Sequence, residues 1–595
     1  MKPTRAVART IWKSVWRAVY RPFSDRLRRL SPSRFGSLRS TLTALLLASL
    51  AALHAAEPAT KPAWGDQGDG TYRNPILWAD YNNPCVFKAG DTFYLTCASH
   101  HFMGMPLLVS KDLVNWTHAG RIYTRLGGVH ADFTFPGKAC SAGSQDGEVG
   151  FFRGTYYMFN WSTKYRGFVC KATAPEGPWS EPVSLSEKIV GDFEDPCPFW
   201  DEDGKGYLFL LGNPGALRIY RLNDTFDAIV DQATVLIDDI PPKGPQVFKR
   251  NGFYYISVAS TGKNKDKAQY VYRSKSLYGP YESRKIFHAG KADINAAQGS
   301  LVEVSGDRWA FLHHDYNLFA TYGRRLYLEP AGWTADGWPW IGVDSDGDGI
   351  GEPVGLTEPY AKPALPVHPI NAADPSDEFD TNVLSGQWAW NHDPDDSHWS
   401  LTARPEYLRL TARHLNTQGG ISQFGRTKVN YREDHLLFAY NTLVQRLYGA
   451  ESDIVTKLDT ANMIDGQRAG LCTMIDDYTW IGVAKEGGIK RIRFAKGTAT
   501  AGPGAFTDGP ELKQDAIWLK LEHRHYKGTM LFSLDGEHFE PLGDRDYPYR
   551  SAWYEGTKVG LFSYNVSSGA EGGHADFDFF HQRHDGPRTA GKRSR

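Results

Sequence analysis

Asp195-Pro196-Cys197-Pro198-Phe199, a turn at Asp203-Gly204, then Tyr207-Leu208-Phe209 is the stretch that decides the fold. Aromatic and β-branched residues on either side of a Gly-containing turn read as two strands of a hairpin. The same unit recurs. One copy is Asn83-Pro84-Cys85-Val86-Phe87, the turn Ala89-Gly90-Asp91, and Phe93-Tyr94-Leu95; another is Gly244-Pro245-Gln246-Val247-Phe248, the turn Asn251-Gly252, and Tyr254-Tyr255-Ile256. Two looser copies turn at Arg153-Gly154 and Gly306-Asp307. The five units are spaced roughly 50–60 residues apart, the size of a propeller blade. They predict an all-β chain with a five-bladed β-propeller over residues 65–362. The first residues of each unit start the innermost strand of a blade. Asn83, Asp195 and Lys243-Gly244 are therefore expected to converge on one end of the central channel.

Outward from the propeller, residues 363–375 are a Pro/Ala-rich linker. From Ser376 the pattern restarts with alternating strands and frequent Gly/Asp turns. This predicts a jelly-roll-like β-sandwich over residues 376–583, which binds sugar or braces the propeller. Residues 1–56 combine a long basic stretch, the apolar run from Leu42 to Leu53 and the small residues Ala55-Ala56. That is the order of a secretory signal, so the protein is expected to be exported, to the periplasm or beyond the cell. The apolar run is short for a membrane span, and no later segment approaches one. The basic residues 584–595 read as a disordered tail.

The chain of 595 residues has 67 basic and 68 acidic side chains, so no global charge points to nucleic acid. Its 18 Trp and 30 Tyr suit β-structure and also suit stacking on the apolar faces of sugar rings. Six cysteines show no metal-binding spacing; five fall in the first half of the propeller, where bridges and buried thiols are equally consistent with the sequence. Asp344-Ser345-Asp346-Gly347-Asp348-Gly349 has calcium-loop spacing, but Gly355 stands where an EF-hand has Glu, and a solvated turn is the simpler reading. Asp380 and Asp576 are a separate candidate pair for a structural calcium. No cofactor is required.

Several motifs together resemble family 43 glycoside hydrolases, the β-xylosidase and α-L-arabinofuranosidase group. They are Asn74-Pro75-Ile76-Leu77-Trp78-Ala79-Asp80, Ser110-Lys111-Asp112-Leu113-Val114-Asn115-Trp116, Glu194-Asp195-Pro196-Cys197-Pro198-Phe199-Trp200-Asp201, Gly279-Pro280-Tyr281-Glu282 and the stretch from Gly332-Trp333 to Gly342. In the second domain, Trp388-Ala389-Trp390-Asn391-His392-Asp393, Leu401-Thr402-Ala403-Arg404-Pro405 and Ala575-Asp576-Phe577-Asp578 resemble the concanavalin-like C-terminal domain of the β-xylosidase branch.

The resemblance implies inverting hydrolysis of O-glycosidic bonds in polysaccharide-derived oligosaccharides. The machinery is a carboxylate base, a carboxylic acid, and an Asp that tunes the acid. The tuning residue matches Asp195. At the base position the sequence has Asn83, and at the acid position Lys243. Ala297 stands before Gln298-Gly299 where the family has a His. Gln145-Asp146-Gly147 replaces Trp-Ala-Pro. The substrate-contacting Arg matches Arg324. An amide cannot deprotonate water, and an ammonium is a poor acid unless its pKa falls by several units. Two readings follow. Either the chain is a glycosidase with relocated carboxylates, Asp146 and Asp80 foremost with Glu194 and Asp132 behind them, or it is a non-catalytic sugar-binding protein. In both, Arg324, His100, His101 and Gln298 are the expected substrate contacts. Asn83 and Lys243 also make the pocket more positive, which suits an anionic glycan. Alternatively, Lys243 pairs with Asp195 and fills space.

Overall fold

The computed structural model describes residues 61–589, apart from 100–102, 140–142, 145, 163–165, 186–192, 213–214, 261–266, 291–295, 316–321, 423–426, 500–503, 550–554 and 570–571. The expected signal segment, His100, His101 and Cys140 lie outside the described residues. Within them the ordered elements are strands and short 3-10 turns, and no helix is long and apolar enough to cross a membrane.

Five antiparallel four-stranded sheets follow one another along the chain, each with its strands in sequence order. Their first strands are Cys85–Ala89, Asp146–Phe152, Phe193–Trp200, Pro242–Arg250 and Ala296–Ser305. Each of these lies against the first strands of both neighbouring blades, closing a five-membered ring around an axis. The second strands, such as Gly206–Gly212 and Phe253–Ser260, are buried almost throughout. They are packed on both faces between blades, so they read as unbroken apolar runs rather than alternating ones. The segment before blade 1 seals the ring against blade 5: Ile76 donates to Leu326 O at 2.8 Å, and Asn74 exchanges hydrogen bonds with the Leu328 backbone. Within the Ser110–Trp116 motif, the Asp112 carboxylate accepts from the N–H groups of Val114 and Asn115. That motif is a capped turn, not a ligand site.

The second domain is two stacked antiparallel sheets, one of seven strands and one of eight. In Glu451–Asp459 and Ala516–Arg524 buried and partly exposed residues alternate strictly, the period-2 signature of a sheet with one face on a core. Lys558–Asn565, by contrast, is buried at every residue. The final strand runs to His584, and residues 585–589 fold back on the start of the described chain. Trp64 stacks on His584 at 5.3 Å, and its indole N–H donates to Asp585 at 2.9 Å. The tail expected from residue 584 is therefore pinned as far as residue 589; an indole, a ring stack and a hydrogen bond outweigh the basic composition. Cys85, Cys97, Cys170, Cys197 and Cys472 are buried thiols, none bonded to another.

Candidate active site

The starts of the innermost strands converge as the repeat demands. A narrow cleft lies on the propeller axis. Blade 1 lines it with Asn83, blade 2 with Asp146 and Glu148, blade 3 with Asp195, blade 4 with Gly244 and blade 5 with Gln298. Four of the five blades present these residues from a left-handed backbone: φ is 48° at Asn83, 54° at Asp195, 52° at Gly244 and 66° at Gln298. In blades 3, 4 and 5 the strand register slips at this point. Such bulges re-aim side chains, here toward the axis. Gly244 has a second reason to be glycine, since a Cβ there would sit 2.4 Å from Gln298 Cγ. Blade 2 differs: Asp146 pairs regularly with Trp161, with no slip.

Asn83 is fully engaged through its oxygen. Its Oδ1 accepts from Gln298 Nε2 at 2.9 Å and from Arg324 Nη1 at 3.1 Å. A guanidinium can only donate, which fixes the amide orientation and leaves Nδ2, a donor, where a base needs a lone pair. The Asn83 N–H donates to His314 Nδ1 at 2.9 Å. Burial, and then the charges of Arg324 and Lys267, hold the His314 pKa well below its usual value, so the ring is neutral.

Lys243 does not pair with Asp195. Its Nζ lies 2.7 Å from Glu194 Oε1, with both side chains about a third exposed (34% and 40%). Asp195 Oδ2 instead accepts from the Gly244 N–H at 2.7 Å. A basic residue missed from the sequence, Lys267, is buried nearby. Its pKa is pushed well below the usual lysine range by burial and by Arg324 and Lys243.

Asp146, Glu194 and Asp195 bring carboxylate oxygens within 4.8 Å of one another. Asp146 and Asp195 are buried, and Asp146 Oδ1 has no hydrogen-bond partner among the described residues. Burial first, then the charges of Asp195 and Glu194, push Asp146 well above the carboxylate range; Arg324 opposes them. Two carboxylates this close in a buried site cannot both ionise freely, which favours the protonated form of Asp146. Glu148 is a further carboxyl that the sequence reading missed, pushed up to about 8 chiefly by burial. The signal was available: Asp146 and Glu148 alternate on one face of an innermost strand, so both must face the axis.

The remaining candidates lie elsewhere. Asp80 does not line the cleft. It is buried at the contact between the two domains, with its carboxylate taken up by Lys558 Nζ at 2.6 Å and by the N–H groups of Gly556 and Arg324 at 3.1 Å each. Asp132 sits in the 3-10 turn Ala131–Phe133, away from the cleft. Asp576 is held by Arg409 at 2.8 Å and Arg404 at 3.1 Å, and Asp380 is exposed, so two guanidiniums occupy the oxygens a calcium would need. Asp344, Asp346 and Asp348 cluster on an exposed loop, where Asp344 accepts from the N–H groups of Gly347 and Gly349.

Comparison with known proteins agrees with this architecture. Residues 72–339 match the model of glycosyl hydrolases family 43, and residues 376–583 match that of the β-xylosidase C-terminal concanavalin A-like domain. A β-xylosidase of Formosa agariphila is 32% identical over 563 residues, covering 89% of this chain and 93% of the relative. A non-reducing end α-L-arabinofuranosidase of Bacteroides ovatus is 29% identical over 422 residues, covering 66% of this chain and 75% of the relative. The crystal structure of a family 43 protein from Bacillus licheniformis superposes with a TM-score of 0.71 at 26% identity, covering 86% of this chain and 99% of that one.

Proposed function

The chain belongs to glycosyl hydrolase family 43, and from that premise we propose that it takes the sugar end of a xylose- or arabinose-bearing oligosaccharide into the axial cleft, with the acid half of a hydrolytic site retained and the base half lost. The observation that carries this reading is the buried Asp146 carboxyl against Asp195 and Glu194. It supplies a proton donor from blade 2 where blade 4 has Lys243. Hydrolysis needs that proton on the leaving glycosidic oxygen and a water attacking the anomeric carbon from the other face. Inverting pairs stand about 6.5–9.5 Å apart to admit the water. The three clustered carboxylates are closer than that, so they cannot supply both roles. Asn83 cannot activate water through an amide N–H, and Glu148 remains largely protonated at neutral pH. Hydrolysis is then slow, limited by unassisted attack of water, while recognition of the sugar is intact. The N-terminal sequence supports export, which would place the protein where polysaccharide fragments are met.

A second reading, binding without hydrolysis of an anionic glycan, is favoured by one observation: the Arg324 guanidinium holds a neutral amide, Asn83, at the base position. One experiment separates the two. Residues 57–595 are incubated with neutral and anionic oligosaccharides, and released sugar is followed by chromatography beside calorimetric binding. Slow release that disappears in Asp146→Asn supports the hydrolytic reading. Saturable binding of an anionic sugar with no release supports the second. Release that survives in Asp146→Asn sinks the assignment of the acid.

A further inference from the structure

The wall of the cleft that holds Asn83 and Arg324 is built on a buried ion cluster shared with the sandwich. Arg446 and Lys558 are directly paired residues on neighbouring strands of the seven-stranded sheet. Like charges at paired positions repel unless an anion lies between them. One anion comes from the propeller and a second from the sandwich itself. Lys558 Nζ lies 2.6 Å from Asp80 Oδ2 and 3.6 Å from Glu555 Oε1, and Arg446 Nε donates to the Asp80 carbonyl at 2.5 Å. Asp80, Glu555 and Lys558 are all buried. Two glycines allow the approach. A Cβ on Gly323 would lie 2.2 Å from Asp80 Oδ1, and one on Gly556 would lie 2.3 Å from the Tyr322 carbonyl carbon.

This cluster reaches the cleft in one step. Asp80 Oδ1 accepts the Arg324 N–H at 3.1 Å, and the Arg324 carbonyl accepts from Tyr81 N at 2.9 Å. Arg324 is thereby clamped at both ends of its backbone by the segment leading to Asn83. Its guanidinium then holds Asn83 Oδ1. We propose that Lys558 of the sandwich is a positioning residue for the sugar cleft: acting through Asp80, it fixes Arg324 and Asn83, so the sandwich is part of the recognition site and not only a brace beside it. This rests on the reading that the cleft receives sugar.

The test uses the full chain from residue 57 with Lys558→Met, the conservative Lys558→Arg, and Arg121→Met as a control. Arg121 also joins the two domains, donating to the carbonyls of Leu384, Ser385 and Trp388, but it touches no residue of the cleft. Both Met variants are expected to lower Tm. Only Lys558→Met is expected to weaken oligosaccharide affinity, about tenfold, with partial recovery in Lys558→Arg. If Lys558→Met and Arg121→Met lose Tm alike and both bind as wild type, the proposal is overturned. If Lys558→Met does not fold, Asp80→Asn serves in its place, since it removes the charge and keeps an acceptor for Arg324. A crystal structure of the surviving variant decides the matter even if wild type binds no sugar at all, an outcome that would end the functional reading alone. Arg324 displaced from Asn83 supports positioning; the pair unmoved overturns it.

Discussion

Asp80 and Asp146 are the same residue type and both are buried. Their surroundings are opposite. Asp80 faces Lys558 and two backbone N–H groups, with Arg446 on its carbonyl. Asp146 faces Asp195 and Glu194. Burial pushes both pKa values upward. At Asp80 burial is the largest influence, but the charge and hydrogen bond of Lys558 together with the charge of Arg446 overcome it and hold the carboxyl below its ordinary value; at Asp146 the neighbouring carboxylates add to burial. One residue is therefore held toward the anion by its neighbours, and the other toward the protonated acid. Burial alone distinguishes neither; the sign of the nearest charge decides whether a buried aspartate braces the fold or offers a proton.

The contrast breaks most visibly if the missing base can be restored. Asn83→Asp returns a carboxylate to the position held by Arg324 and Gln298. Sugar release is expected to rise about 10²–10⁴-fold, the usual worth of a general base. An unchanged rate in steady-state assays would mean that Asp146 is not acting as the acid. Stability should divide the two aspartates next. Asp80→Ala strands a buried lysine and is expected to cost about 3–5 kcal/mol in urea unfolding. Asp146→Asn removes the cost of burying a titratable carboxyl beside Asp195 and Glu194 and should unfold at the same or a higher urea concentration than wild type. Losses of similar size in both would erase the distinction.

The pH dependence carries the same opposition. Asp80, with its pKa depressed, contributes stability that is present above about pH 3.9, the unfolded value, and is lost as pH falls through the folded one. Glu148 works the other way. Between about pH 4.3 and its folded value near 8, the native protein keeps a proton that the unfolded chain has released. Stability therefore falls as pH rises through that window. Glu148→Gln should flatten this slope, so the gap between mutant and wild-type urea midpoints should widen in the mutant's favour from pH 5 to pH 8.5. A constant gap would place Glu148 in a wetter setting than the axis.

Much of this was legible in the sequence, for physical reasons that differ by residue. The hairpin repeat fixes blade number because each blade must bury its second strand between neighbours, and the convergence of Asn83, Asp195 and Gly244 follows from the ring. The partner of Lys243 was not legible. Asp195 is its neighbour in the family pattern, but the left-handed backbone at both blade starts turns Asp195 toward the Gly244 N–H and leaves Glu194 for the ammonium. Asp80 was misjudged for a different reason. Its cation lies 478 residues along the chain, in another domain, and no local pattern announces a contact of that range.

The smallest expected effect concerns that misplaced pair. Lys243 and Glu194 are both about one-third exposed, and such pairs contribute at most about 1 kcal/mol. Lys243→Met should hardly change the urea midpoint. Its consequence is electrostatic and local: without the ammonium, the Glu194 charge acts undiminished on Asp146. The proton on Asp146 is then held more firmly, and the alkaline limb of sugar release, or of binding if release is absent, should move to higher pH. The shift should shrink in high salt, which screens exposed charges more than buried ones. If release is instead abolished together with its alkaline limb, the lysine itself is the titrating group, and the acid of this site never left blade 4.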